Sequence, residues 1–369
     1  MQNETVYNLV TVKRSRGGVT EREKLPGKQI SVKSQFYVQT GDFLISKRQI
    51  VHGACGYVPE ELDGSIVSNE YVVLHCKDIL LPEFLSYLVH TPYFQQTCFH
   101  SSIGIHVEKM IFKLDDWFRW KIYLPAKNEQ KKIAAFLCSV DDKLNSLQRK
   151  HELLESYKRD LMQKLYSQVI RFKKDDGSDF PDWKDKSLGY LAKRVTVKNN
   201  EDSITRVLTN SATQGIVNQQ DYFNKDIANA NNLAGYYVVE RGDYIYNPRI
   251  SVHAPVGPIK KNKIGRGVMS PLYSIFRFNS EENEFYEQYF KSSLWHRYMR
   301  SVANYGARHD RMNISITDFL DMQLPVPHSD EQNKITDFLS SIDKKIDELA
   351  KQVTKYGAFK KGLLQKMFV

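Results

Sequence analysis

Residues Glu129 to Tyr166 read EQKKIAAFLCSVDDKLNSLQRKHELLESYKRDLMQKLY, and Glu331 to Phe368 read EQNKITDFLSSIDKKIDELAKQVTKYGAFKKGLLQKMF. The second is the first written again 202 residues later, with 14 identities over 38 positions. Most other pairs exchange like for like, as in Val140/Ile342, Leu144/Ile346, Tyr157/Phe359 and Leu165/Met367. A long-period repeat dictates architecture before any motif is read. Each copy also follows a Leu-Pro step, Leu124-Pro125 and Leu324-Pro325, which reads as a shared boundary.

Within the first copy, apolar residues recur at Ile133, Leu137, Val140, Leu144, Leu147 and Leu154, with His151 in the same series. The second repeats the pattern at Ile335, Leu339, Ile342, Ile346, Leu349, Val353 and Tyr356. Alternating steps of four and three residues make the seam of a coiled coil. Neither copy contains Pro, so each predicts one helix of about 35 residues and roughly 50 Å. Two such helices in one chain bury their seams most simply as an antiparallel pair. His151 reads as a tolerated polar seam residue, and the Asp-x-Lys steps at Asp141 and Asp343 as solvated charge.

Upstream of each helix the halves correspond more loosely. Gly41-Asp42-Phe43-Leu44-Ile45 matches Gly242-Asp243-Tyr244-Ile245-Tyr246, and Ser68 and Tyr71 match Ser270 and Tyr273. Gly104 and Met110 likewise match Gly306 and Met312. Gly-Asp pairs read as turns entering a strand. The aromatic stretches Phe84 to Phe94 and Tyr286 to Trp295 are compatible with helix. The expected fold is α+β: two similar α/β globules, each followed by a long helix, with the helices paired as an antiparallel coiled coil. The boundaries read as 1–124 for the first globule, 125–171 for its helix, 172–184 for a polar turn-rich linker, 185–324 for the second globule and 325–369 for its helix.

The chain carries a formal charge of +10. Phosphates reward clustered Lys and Arg through counterion release, so a polyanion partner is one explanation of that charge and a merely lysine-rich protein is the other. Basic and amide side chains gather where the halves diverge. The first half has Arg14, Arg16, Arg22, Lys47, Arg48, Gln49 and His52. The second has Arg206, Asn210, Asn247, Arg249, His253, Arg308, His309 and Arg311. Arg pairs bidentately with guanine, and Asn or Gln with adenine, so these are the DNA-binding candidates. A shared frame with divergent insertions suggests one scaffold presenting two different recognition surfaces.

No catalytic constellation is legible. There is no Gly-x-x-x-x-Gly-Lys-Ser/Thr phosphate loop. Asn247-Pro248-Arg249 starts like the Asn-Pro-Pro-aromatic motif of adenine methyltransferases but stops after Pro248. Pro181-Asp182-Trp183-Lys184 sits in the linker without a second carboxylate at metal-ligand spacing. Cys55, Cys76, Cys98 and Cys138 form no Cys-x-x-Cys pair and read as buried or inert thiols. No apolar run is long enough to span a bilayer, and a cytoplasmic location is expected.

Two divergent globules, each followed by Leu-Pro, Glu-Gln-x-Lys-Ile-x-x-Phe-Leu and a long helix ending near Leu-x-Gln-Lys, resemble the specificity subunit of type I restriction-modification enzymes. The resemblance covers essentially the whole chain. It implies a non-catalytic subunit in which each globule reads half of a split, asymmetric DNA site. It implies that the paired helices fix the gap and dock two methyltransferase subunits, which would bind S-adenosylmethionine. A motor-nuclease subunit using ATP and Mg would complete the complex, and this chain itself would bind no cofactor and no metal. The other readings are a coiled-coil adaptor whose basic globules bind protein or RNA, and a single-chain methyltransferase or nuclease. One departure stands out: Trp183 to Asp202, with Ser187-Leu188-Gly189, looks like the opening of a recognition domain, and Met1 aligns only near residue 203. The first domain is expected either to be truncated there or to manage without that element.

Overall fold

The structure, a computed structural model, describes residues 2–200, 203–222, 233–281, 283–304 and 310–368. The chain divides into two compact units. One comprises residues 1–150 with 349–369, and the other residues 151–348. Each therefore holds one globule with part of both long helices.

The helices run Lys127–Tyr166 and Ser329–Met367, 40 and 39 residues. At 1.5 Å per residue each is about 60 Å long, a turn or so beyond the length read from the seam. Every seam position is buried or half-buried, from Leu137 and Leu339 at 0% exposed to His151. In the first unit the Asp141 carboxylate meets Lys360 Nζ at 2.5 Å. In the second, Lys158 Nζ meets Asp343 at 2.5 Å. From Asp141 to Lys158 one helix advances by 17 residues while its partner retreats by 17, from Lys360 to Asp343, so the pairing is antiparallel. The 202-residue offset maps Asp141 onto Asp343 and Lys158 onto Lys360, so the two ion pairs are the same contact made twice.

These aspartates are thus not solvated charge. Each lies partly under its globule, and a side chain from the helix above reaches it. Tyr87 donates its hydroxyl to Asp141 at 3.1 Å, and Gln288 its amide to Asp343 at 3.0 Å. Lys291 adds a second ammonium to Asp343 at 2.9 Å. Burial acts to raise the Asp343 carboxyl, but hydrogen bonds from Lys158, Gln288 and Lys291, with the Lys291 charge, outweigh it and set it at about 2. Burial, and then repulsion from Lys291, lowers the Lys158 ammonium. Because the Asp343 value is depressed from an unfolded 3.8, its stabilisation is complete above about pH 4 and lost as pH falls toward 2. Asp343→Asn will flatten that acid arm in melts between pH 5 and 2, and an unaltered arm would assign the loss to other carboxylates.

In the first unit, strands Val6–Val12 and Val19–Pro26 form an antiparallel hairpin. With Ile66–Ser68 and Gln35–Tyr37 they make a four-stranded sheet. A second sheet orders Cys55–Tyr57, Phe43–Ser46 and Tyr71–Leu74, with all four residues of the central strand buried. The second unit repeats this sheet as Ile259–Lys261, Tyr244–Tyr246 and Ser274–Phe278, in the same register: Phe43 opposes Leu74 as Tyr244 opposes Phe276. It adds a fourth strand, Ala192–Arg194, on the far edge.

The Gly-Asp turns form as expected. Gly41 and Gly242 take φ of 86° and 97°, where glycine has no Cβ to clash. The following Asp42 and Asp243 accept the amides of Gln39 and Glu240, both at 2.8 Å. Both carboxylates are buried and each meets a basic side chain, Asp42 the His75 imidazole just past the neighbouring strand and Asp243 the Arg277 guanidinium on it.

Each helix-compatible stretch is broken in two. Pro82–Leu88 stops before Pro92–His100, where Thr91 must adopt an extended conformation ahead of proline and then caps the Phe94 amide at 3.2 Å. Glu284–Tyr289 and His296–Val302 are the second pair. Beneath them lie largely aromatic cores: Phe43, Phe84, Phe94, Phe112 and Trp117 in the first unit, Tyr244, Phe276, Phe278, Phe285 and Phe290 in the second.

Two more sequence expectations change. The repeat holds at an offset of 202 through Pro125 and Pro327, not Pro325. Gln130 donates to the Pro125 carbonyl at 2.9 Å, and Gln332 to the Pro327 carbonyl at 3.0 Å. Cys55 and Cys98 are buried, but Cys138 is exposed. The polar, turn-rich connector is also anchored. Arg171 Nε and NH2 bind both oxygens of Glu331, at 3.0 and 2.8 Å, and Trp183 Nε1 donates to the same carboxylate at 2.9 Å. Phe172 packs on Phe338 and Phe180 on His328, so the connector is strapped along the start of the second long helix.

Candidate nucleic-acid interface

In both units a strand threonine joins the sheet tyrosine through their hydroxyls: Thr11 to Tyr71 at 3.1 Å and Thr209 to Tyr273 at 2.9 Å. This fixes the hairpin that leads to the divergent loops. In the second unit the hairpin Leu208–Ser211 and Gly215–Asn218 turns through an Ser211 hydroxyl that accepts the Gln214 amide at 3.2 Å. Beside it the Asn247-Pro248-Arg249 loop is held from two sides. Asn247 Nδ2 donates to the Asn210 carbonyl, and the Pro248 carbonyl accepts the Met312 amide at 2.9 Å.

Between them opens a cleft of about 530 Å³. It is lined by Asn210, Asn247, Arg249, His253 and Arg311 from the candidates, and by Ser211, Thr213, Tyr222, Ser270 and Tyr273 in addition. Arg249 and Arg311 flank Asp310, at 3.6 and 3.8 Å, so one carboxylate sits between two guanidiniums. Arg249 stays 62% exposed and available to a phosphate or base edge. Asn210 is buried, and its amide is spent on the Ile245 and Pro258 carbonyls. The bidentate adenine contact expected of it therefore lacks a donor. Its Oδ1, however, is buried without a partner. Arg206 lies outside the cleft, tied to Asn218 and the Ile264 carbonyl. Arg308 and His309 lie outside the described residues.

In the first unit the hairpin tip Lys13–Gly18 folds onto the turn Ile50–His52. The Ser15 amide donates to His52 O and the Arg16 amide to Gly53 O, at 2.7 and 2.8 Å. Ser15 and Arg16 hold left-handed φ of 56° and 59°, a strained conformation for residues with a Cβ. Close approach explains Gly56 on the strand below, where a Cβ would come within 2.9 Å of Gly18 Cα. Arg14, Arg16 and His52 are thereby brought together, and Gln49 opens the same turn, its carbonyl accepting the His52 amide at 3.0 Å. Arg14 and His52 both approach Glu108, at 3.5 and 3.3 Å, while Arg16 Nε donates to Val89 O. Lys47 and Arg48 are held a short way off by Asn69 O and Glu70. Arg22 does not join them. It pairs with Glu23 on the outer hairpin strand and faces a different cleft.

Among the described residues, buried side-chain atoms without a hydrogen-bond partner include one candidate in each unit, Gln49 Oε1 in the first and Asn210 Oδ1 in the second. Such atoms are rare in folded proteins, and a ligand or water commonly supplies the missing partner. The acidic members Glu108 and Asp310 were not anticipated from sequence. The Ser-x-x-Tyr anchor shared by the halves was the available sign that Ser270 and Tyr273 belong to the cleft. No group of three or more His, Cys, Asp or Glu among the described residues is placed to hold a metal. No helix among them is long and apolar enough to cross a membrane.

Residues 3–155 and 182–355 match the Type I restriction modification DNA specificity domain. The putative type I restriction enzyme MjaX specificity subunit of Methanocaldococcus jannaschii is 27% identical over 264 residues, spanning 66% of this chain and 57% of that protein. The type I restriction enzyme MjaVIII specificity subunit of the same organism is 25% identical over 290 residues, spanning 70% and 62%. The match thus spans less than two thirds of either relative's length. Among solved structures, the HsdS subunit from Thermoanaerobacter tengcongensis has a TM-score of 0.53 at 18% identity, over 99% of this chain and 91% of that one. The type I restriction-modification S subunit from M. genitalium has a TM-score of 0.54 at 14% identity, over 99% and 96%. At these identities the structures attest the fold, and the two globule-plus-helix repeats found here are that fold. With matched stretches covering most of its length, the chain belongs to the Type I restriction modification DNA specificity domain family.

Proposed function

We propose that this chain is the DNA-reading subunit of a type I restriction-modification complex, working in the cytoplasm. Each globule reads one half of a bipartite site, and the halves differ because the loops differ. The paired helices set the gap and offer the docking surface for two methyltransferase subunits. Those subunits hold S-adenosylmethionine and transfer the methyl group. A motor-nuclease subunit adds ATP- and Mg-dependent cleavage, and this chain catalyses nothing. One observation carries the reading: a repeated frame, identical in its sheet register and Thr-Tyr anchor, bears two unlike sets of basic and amide side chains around buried, unpartnered polar atoms.

Phosphate contacts by exposed arginines position a duplex, and base-edge contacts specify it. The purified chain alone will bind DNA weakly, with affinity falling steeply as salt rises. With methyltransferase subunits added, selection from a random duplex library will return one asymmetric, two-part site. Absence of any sequence preference in that complex overturns the proposal. Substituting Arg311 or Arg249 by Ala will weaken the complex by about 1–3 kcal/mol for each base contact removed. Preference will relax at one half-site only. Equal loss at both halves would contradict modular reading.

A further inference from the structure

In the second unit, the segment from Arg171 to Arg194 closes three features that the first unit leaves open. Its arginine and indole bury Glu331, which is 0% exposed. The in-register Glu129 is exposed and, among the described residues, its side chain makes no hydrogen bond or ion pair. The same face continues one and two turns on. Lys334 and Phe338 are half-buried beneath Lys173, Asp175 and Phe172, whereas Lys132 and Phe136 are exposed.

Next, strand Lys184–Ser187 pairs antiparallel with Gln323–Val326. The equivalent Lys121–Leu124 has no strand partner among the described residues, and Tyr123 projects 90% exposed. Finally, Ala192–Arg194 completes the sheet by pairing with Ser274–Phe278. The residues in register with its paired Phe276–Phe278 are Leu74–Cys76, and among the described residues no strand lies on that edge. An open strand edge is a ready template for pairing. Here two such edges and an unpaired carboxylate follow the path that one continuous segment takes in the other unit.

We propose that the first unit binds a polypeptide segment with the chemistry of Arg171 to Arg194. Its guanidinium and indole engage Glu129, and aromatic side chains cover Phe136. Its two short strands add to Lys121–Leu124 and to the Leu74–Cys76 edge, by β-augmentation. The inference rests on the repeat and not on DNA reading, so the two can fail separately.

The test uses the full chain and a fluorescein-labelled synthetic peptide of residues 169–195, followed by anisotropy without DNA. Saturable one-to-one binding is expected, with a rise in the melting temperature of the chain. Glu129→Gln and Phe136→Ala should each weaken it at least tenfold, as should replacing the peptide's arginine by alanine. Three results would overturn the proposal. These are no saturable binding, equal binding of a scrambled peptide of the same composition, and binding that is indifferent to Glu129→Gln but lost with Phe338→Ala, which would place the peptide on the second unit.

Discussion

Arg171→Ala will cost the second unit about 3–5 kcal/mol, because it strands a fully buried carboxylate. Glu331 is 0% exposed and is held by two guanidinium hydrogen bonds and one from the Trp183 indole. The indole alone cannot replace the charge. Arg171→Met combined with Glu331→Gln removes both charges and will recover much of the loss, since a neutral amide can still accept from Trp183. Glu129→Gln, at the exposed counterpart, will leave the unfolding midpoint where it is. Urea titrations read these differences by fluorescence, with Trp183 and Trp295 in the second unit and Trp117 and Trp120 in the first. An Arg171→Ala chain within 1 kcal/mol of the parent would mean that the strap is not holding the second helix.

Removing residues 142–148 together with 353–359 will change the gap between the half-sites while leaving the bases unchanged. The two deletions are matched. They retain the Asp141–Lys360 pair and remove one heptad from each seam, so the remaining apolar positions stay in phase. Seven residues are about 10 Å of helix, the rise of about three base pairs of B-DNA. Removing either segment alone breaks the register and will abolish site-specific binding. Site selection with the methyltransferase complex reads the outcome. Altered base preference at an unchanged gap would refute the spacer role.

The helices and their pairing were legible because a seam repeats and the chain writes it twice. The sheet frame was legible through the Gly-Asp turns, whose aspartates prove to be buried against a basic side chain and not only turn residues. What the sequence hid were contacts whose partners lie far apart along the chain. Asp141 looked solvated because nothing local says that Lys360 arrives from the other helix. The stretch Lys173 to Trp183 read as a polar, turn-rich linker because of its composition, while the helix residues that anchor it, Glu331, Lys334 and Phe338, lie far along the chain. Of the recognition candidates, sequence gave the residue types, and tertiary structure decided which converge. Arg14, Arg16 and His52 do, as do Asn247, Arg249, His253 and Arg311, but Arg22 and Arg206 do not. Asn210 shows the limit of reading chemistry from residue type, since its amide serves the backbone.

The ion pairs Asp141–Lys360 and Lys158–Asp343 carry one more consequence. Each copy of the repeat bears both an acceptor and a donor, 17 residues apart, so either copy alone contains everything its pairing surface asks of a partner. A half-length chain could therefore dimerise with itself through the same contacts. What joins unlike halves in this protein is the covalent connection, which raises the local concentration of one copy around the other above that of any stranger. Asymmetry of the two globules is then a property of the gene's continuity and not of the helix interface. Once linked, either globule is free to diverge, because the surface that holds them together does not distinguish between them.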